Sequence, residues 1–270
     1  MKKISWIVGC LLLVSLLIGT FFDYQIASFV FKKDNGFSYF FEHFAPVVFG
    51  SILIIAGNLV FIPLLKVEGA SKLKLSLFGV LGVLFCAFGV LMIVVYGKLL
   101  GGVYTIILIP IVFIMVRKIP VHLNKQYHLV GLAIILTALT SMMIVEPIVG
   151  RVRFRSMQEN PSLFTNWYQI NGSKFLSSVP LKEEIKSFPS GHSQWAGTTL
   201  TLSLIALANP KWRNKEKLIF SGSLIYALTV MLSSMMQGAH FLTDVTVGFG
   251  TAFVCYLIFR KVLVENKIEE

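Results

Sequence analysis

Two histidines stand where an apolar run is about to begin. One ends Phe188-Pro189-Ser190-Gly191-His192; the other lies in Gly238-Ala239-His240-Phe241-Leu242-Thr243-Asp244. A helix would put His240 and Asp244 on one face. Ionisable groups at the edge of an apolar segment are costly unless they are used or paired. A carboxylate on one imidazole nitrogen fixes the tautomer and leaves the other lone pair free. That chemistry would make His240 a nucleophile toward phosphorus, with Asp244 stabilising the imidazolium character that develops. Pro189 sets a turn and Ser190 suits a helix N-cap. The amides that follow, Gly191 included, then form a positive helix end that binds phosphate. His192, in that first turn, is placed to protonate a leaving oxygen. The plainer alternatives are an ordinary cap with a solvated histidine, and a capping Asp beside an interfacial His.

A third element precedes these two. In Gly150-Arg151-Val152-Arg153-Phe154-Arg155 the arginines alternate, and in an extended segment positions 151, 153 and 155 face one way. Guanidinium groups suit phosphate through bidentate hydrogen bonds. The alternative is anchoring to lipid head groups.

The elements that must position these residues are apolar. The chain is 56% hydrophobic and only 14% charged, too apolar for a soluble domain of this size. Its apolar blocks approach bilayer-spanning length. They predict eight transmembrane helices, roughly 4–22, 46–65, 76–96, 102–116, 128–148, 191–209, 218–236 and 242–260. The fourth is short enough to be re-entrant or tilted. With both termini cytoplasmic, the inner segments hold Lys2 and Lys3; Lys66, Lys72 and Lys74; Arg117, Lys118 and Lys125; Lys211, Arg213, Lys215 and Lys217; and Arg260, Lys261 and Lys267. These are 15 of the 24 basic residues, as the positive-inside rule expects. The net charge of +11 therefore reflects topology and anionic head groups; short loops offer no surface for nucleic acid.

The expected fold is all-α: a polytopic membrane helix bundle forming a single domain over 1–270 with no linker. Met1 to Phe22 starts like a secretory signal but lacks a small-x-small cleavage site, so a retained first helix is expected. Cys10, Cys86 and Cys255 fall inside apolar spans and are spread along the chain. They read as buried hydrophobes, with neither a disulfide framework nor a zinc site. The segment Asp23 to Phe44 is rich in phenylalanine and reads as an interfacial re-entrant helix or a wall of a lipid entry path. Gly150 to Ser187, with a turn at Asn171-Gly172, lies outside the membrane and reads as a cover over the site.

Together the three elements resemble the type 2 phosphatidic acid phosphatase superfamily, over a motif region of about residues 146–250. That family carries a Lys-x6-Arg-Pro motif, then Pro-Ser-Gly-His, then Ser-Arg-x5-His-x3-Asp. The resemblance implies a six-helix phosphatase-like core and a metal-independent lipid phosphatase with no cofactor, acting at the outer face of the cell membrane. It implies His240 as nucleophile, Asp244 as its partner, His192 as general acid, and Arg153, Ser190 and Gly191 as phosphate ligands, with Arg151 and Arg155 as further cations. Its substrate would be a lipid phosphate or diphosphate such as phosphatidic acid, phosphatidylglycerophosphate or undecaprenyl diphosphate. The expected partners are membrane lipids, with no nucleic acid and no obligate protein partner.

The chain departs from the pattern at three positions. Glu146 stands where the family has lysine, Ser234 where it has arginine (Ser233 is retained), and Phe154 where it has proline. Losing one preorganised charge donor costs about 3–4 kcal/mol of transition-state stabilisation. Two uncompensated losses would slow the reaction by roughly four to five orders of magnitude. Arg151, Arg155, Lys182 or Lys186 could compensate, and Glu146 could pair with an arginine or act on a nearby histidine. The competing expectations are a catalytically impaired member that binds lipid or acts as a scaffold, and a transporter. The transporter would need ionisable residues deep in the spans, and almost none are there.

Overall fold

The computed structural model describes residues 1–140 and 145–265. Residues 141–144 of the expected fifth span, and Lys267, lie outside the described residues. Among the described residues the regular elements are helices, with no strand. They are α1 (Lys2–Val30), α2 (Gly36–Phe61), α3 (Lys72–Arg117), α4 (Asn124–Leu139), α5 (Val145–Val149), α6 (Gly191–Thr198), α7 (Leu202–Ala208), α8 (Glu216–Met236) and α9 (Leu242–Glu265), with short 3-10 turns between some of them.

Among the described residues, five segments are long and apolar enough to cross a membrane: Lys2–Val30, Gly36–Lys66, Lys72–Arg117, Pro210–Met236 and Leu242–Glu265. Their apolar side chains are widely exposed, among them Trp6, Leu11, Leu73, Leu77, Leu99 and Ile106. An exposed apolar surface of that extent suits lipid and not water.

Part of the difference between five and the expected eight has local causes, and the expected fifth span includes residues outside those described. The expected third and fourth spans fall in one 46-residue helical stretch, α3, in which two helices meet at a kink. Straight, such a helix would be about 69 Å long, more than twice the hydrocarbon thickness. It breaks at Lys98, whose φ of 51° and ψ of −136° are not helical. The expected sixth span is divided into α6 and α7 by a 3-10 turn at Thr199–Thr201. There Thr201 Oγ1 donates to the Thr198 carbonyl at 2.6 Å and Ser203 Oγ to the Leu200 carbonyl at 2.8 Å, hydroxyl contacts that compete with the helical ladder.

The chain divides into two compact units, each assembled from three stretches, so no single linker separates them. The first holds Met1–Glu42, Thr140–Gly197 and Ile225–Ala252, and therefore all three motifs. The second holds His43–Leu139, Thr198–Leu224 and Phe253–Glu270. In the second unit α2 and α3 approach backbone to backbone: a Cβ on Gly50 would lie 2.5 Å from the Gly89 carbonyl oxygen, and one on Gly82 would lie 2.7 Å from that of Gly57. Small residues at helix crossings are how apolar helices pack where lipid competes for their surfaces. Arg260 Nε donates to Glu216 at 2.6 Å in the same unit.

Two expectations change in the first unit. The phenylalanine-rich segment is not a separate re-entrant element. α1 continues to Val30 and α2 begins at Gly36, capped by the Asn35 carboxamide oxygen, which accepts from the Phe37 amide at 2.8 Å. The three cysteines are free, but Cys10 lies on the exposed face of α1 and is not a core residue.

Candidate active site

The site is organised by the long loop between α5 and α6. Gly150 ends α5 with a left-handed φ of 63°, and a Cβ there would collide with the Gly172 carbonyl oxygen. Only glycine accommodates both constraints. The Asn171 amide donates to the Val149 carbonyl at 2.7 Å and that of Gly172 to Ile148 at 3.1 Å, so the Asn-Gly turn pins the loop against α5. Val152, Phe154, Met157, Leu163, Phe175 and Ile185 bury one face of the loop with Ala27 and Phe241. That cluster holds the loop in place.

From Gly150 the backbone runs extended through Arg153 and then enters a 3-10 turn at Phe154–Ser156. The alternation therefore stops early, and the three arginines reach different partners. Arg151 is wholly buried. Its Nη1 donates to Asp244 Oδ1 at 2.5 Å and to Thr243 Oγ1 at 2.9 Å, its Nη2 to Asp23 Oδ2 at 2.9 Å, and its Nε to the Thr165 carbonyl at 3.0 Å. The guanidinium carbon sits 4.1 Å from the centre of the Phe241 ring. Arg155 grips Glu184, with Nη2 at 2.7 Å and Nε at 3.1 Å from the two carboxylate oxygens. Among the described residues, the Arg153 guanidinium has a 3.9 Å contact with Glu184, and its buried Nε has no hydrogen-bond partner. The three guanidinium groups therefore do not face one way: Arg151 and Arg155 are each held by carboxylates.

Charge follows this division. Glu184 is held below the usual carboxylate range: burial opposes its ionisation, but hydrogen bonds from Arg155 and Ser156 and the charges of Arg155 and Arg153 outweigh burial. Arg153 is lowered, by burial first and then by the charge of Arg155.

The Pro-Ser-Gly-His motif opens α6 as its residue types predict. Ser190 caps the helix, its Oγ accepting from the Ser193 amide at 3.3 Å. The Phe188–Pro189 peptide bond is cis. The His192 ring is hydrogen-bonded to the backbone of Glu42, while its buried Nε2 has no partner. Glu42 in turn accepts from Gln237 Nε2 at 2.5 Å. Glu146, in the position of the family lysine, comes to the same helix end: a Cβ on Gly191 would lie 3.3 Å from Glu146 Oε1.

His240 is buried, and its ring centre lies 6.3 Å from that of His192. Its Nδ1 is 2.6 Å from the Ser187 carbonyl oxygen. A carbonyl only accepts, so Nδ1 carries the hydrogen and Nε2 the lone pair. Asp244 therefore does not take the place beside His240 that its spacing suggests. Its carboxylate accepts from Arg151, from Ser187 Oγ at 2.6 Å and from the Phe241 amide at 2.8 Å. Ser187 stands between them, bonded to His240 through its carbonyl and to Asp244 through its hydroxyl. Burial, then the charges of Arg153 and His192, hold the His240 imidazole well below its ordinary pKa, against the opposing bond to Ser187. His240 is thus neutral at physiological pH.

Asp23, Glu42, Glu184, Ser187 and Gln237 take part in this arrangement and lie outside the sequence motifs. Asp23 alone carried a signal, being a carboxylate at the end of an apolar run. The backbone carbonyl of Ser187 has no sequence signature.

No curated protein and no solved structure matches the chain. The family model of the PAP2 superfamily matches residues 126–268, just over half of the chain. With its motifs gathered in one unit on apolar helices, the chain belongs to the PAP2 superfamily.

Proposed function

We propose that this membrane protein is a metal-independent lipid phosphatase that works through a phosphohistidine. The observation that carries this reading is the pair of histidines, His192 and His240, with ring centres 6.3 Å apart and the half-buried guanidinium of Arg153 in the same unit. His240 Nε2 attacks phosphorus, the bond from phosphorus to the lipid oxygen breaks, and His192 gives that oxygen its proton. Water, losing a proton to His192, then attacks the phosphohistidine; the N–P bond breaks and phosphate leaves. Arg153 and the amides at the start of α6, with Ser190 and Gly191, seat the phosphate. The negative charge of the bound phosphate favours the protonated form of His192 that the first step needs. The substrate is a phosphate monoester or diphosphate of a lipid. The chain crosses the cell membrane eight times with both termini inside and the site on the outer face.

Phosphate release by the purified protein in detergent, with and without His240→Ala and in the presence of a chelator, tests the reading. Equal release from both proteins sinks the mechanism, and loss of release with chelator sinks metal independence.

A second reading is favoured by one observation. Glu146 brings a carboxylate to the helix end where phosphate would bind, and Ser234 supplies no charge. The chain would then bind a lipid or act as a scaffold without turnover. Activity that emerges only when Glu146→Lys and Ser234→Arg are combined supports it.

A further inference from the structure

The first helix lies outside the residues that match the family, yet it reaches the centre of the site. Asp23, near the C-terminal end of α1, is 3% exposed, and Arg151 and Asp244 are each 0% exposed. A guanidinium in such a place needs counter-charge, and removing one partner of a buried ion cluster leaves an uncompensated charge. Two carboxylates grip Arg151 at different nitrogens, Asp23 at Nη2 and Asp244 at Nη1. Two-point attachment fixes the plane of the fork against the Phe241 ring. With one carboxylate, the guanidinium could swing about a single contact.

Asp23 also acts on α9 directly. Its Oδ1 accepts from the Thr243 amide at 3.0 Å, and its Oδ2 from the Thr243 hydroxyl. Thr243 is in the first turn of α9, where amides lack partners within the helix and a carboxylate is favoured. A residue of α1 therefore caps the turn that carries Asp244. Gly19, one helical turn before Asp23, permits the approach: a Cβ there would lie 2.7 Å from the Thr243 methyl carbon.

We propose that Asp23 is a positioning residue for catalysis, acting through Arg151 on Asp244 and so on Ser187 and His240. The inference rests on the phosphohistidine reading. It gives α1 a task in the reaction although the chemistry lies wholly in the motif region. Asp23 touches neither His240 nor His192 in any contact of the described residues. Its effect must pass along hydrogen bonds, and coupled residues are recognised by non-additive losses.

The test uses the full chain in detergent with radiolabelled dioctanoyl phosphatidic acid. Turnover is divided by the number of sites that form phosphohistidine, counted after an alkaline quench, so unfolded protein does not enter. Asp23→Asn is expected to lower turnover per site about tenfold with KM unchanged within about twofold, because no phosphate contact is lost. In an Asp244→Asn background the same change should cost less than about twofold. Asp23→Glu, which keeps the charge, should retain at least half of the turnover and serves as the second variant if Asp23→Asn yields little folded protein. Full turnover in Asp23→Asn, or losses that simply multiply in the double variant, overturns the positioning role and leaves the phosphatase reading intact. Phosphate release by the unaltered chain with no phosphohistidine overturns that reading, and the inference with it.

Discussion

His240 meets Asp244 through Ser187: the imidazole Nδ1 lies 2.6 Å from the Ser187 carbonyl oxygen, and the Ser187 hydroxyl donates to Asp244 at 2.6 Å. The tautomer of His240 is thus set by a backbone atom that no side-chain substitution removes. Ser187→Ala deletes only the hydroxyl's contacts with Asp244 and the Ala239 carbonyl, so turnover should fall by about tenfold, near the cost of about 1.5 kcal/mol for a hydrogen bond to a charged group. Asp244→Ala should cost at least a hundredfold, because it also removes one of the two carboxylates that hold the buried Arg151 and frees the Phe241 amide. Phosphate release by the two variants measures the difference. A Ser187→Ala loss as large as that of Asp244→Ala would mean that the hydroxyl, and not the carbonyl, orients the ring.

The depressed pKa of His240 fixes the sign of the pH dependence. A histidine held well below 6.5 in the fold keeps its lone pair as pH falls through 6.5. The acid limb of turnover that His240 sets should therefore lie below 6.5. Stability runs the other way. The unfolded chain takes up a proton near 6.5 while the buried ring does not, so the contribution of His240 is full above 6.5 and declines as pH falls below it. A rate profile with its acid midpoint at 6.5 would show that the nucleophile is not this buried ring.

Glu184 carries a separate pH-dependent contribution. Its folded pKa is below the ordinary 4.5, so its stabilising effect is complete above that value and is lost as pH falls through the folded pKa. Glu184→Gln should destabilise the protein by about 1–2 kcal/mol at pH 7, the scale of hydrogen bonds to a charged partner that is partly open to solvent. Thermal unfolding of both proteins should converge as the pH is lowered toward 3 or below. A constant gap down to that pH would place the contribution elsewhere.

Glu146 and Ser234 test how far the charge cage limits the reaction. A carboxylate beside Gly191 opposes an incoming phosphate, and neutralising it removes that repulsion. Glu146→Gln should raise turnover several-fold. Combining Glu146→Lys with Ser234→Arg should raise it by at least about a hundredfold if each restored donor gives part of its usual 3–4 kcal/mol. Initial rates on phosphatidic acid give the comparison. A Glu146→Gln variant slower than the unaltered chain would show that the carboxylate is used in the reaction.

What could be read from the sequence was the local chemistry. The Ser190 cap and the turn at Asn171-Gly172 depend on neighbouring residues, and residue type announces them. The division of labour among Arg151, Arg153 and Arg155 could not be read, because it depends on where Asp23, Asp244 and Glu184 arrive from 128, 93 and 29 residues away. By contrast, two apolar runs parted by a few residues look like two spans, and the non-helical backbone at Lys98 does separate two helices within α3. The apolar helices were legible because burial in lipid demands long runs; the number of complete crossings was not, since breaks such as Thr199–Thr201 leave the composition unchanged.

Gly150 joins the two scales, being a local conformation that sets a distant contact. Its φ of 63° suits glycine, and a Cβ would strike the Gly172 carbonyl that closes the loop onto α5. Gly150→Ala should cost at least about 1–2 kcal/mol for the left-handed backbone alone, and more for the collision. Because Arg151 follows directly, the displaced loop would also pull on its contacts with Asp23 and Asp244. Gly172→Ala meets open space, its nearest neighbour being the Ile148 carbonyl oxygen at 4.0 Å, but has a left-handed φ of 55° as well. It should therefore show the backbone cost without the collision. Thermal unfolding in detergent should rank the unaltered chain first, Gly172→Ala second and Gly150→Ala last, with turnover falling further in Gly150→Ala than in Gly172→Ala. Equal losses in both variants would mean that backbone conformation, and not the packing of the loop against α5, holds the arginine segment in place.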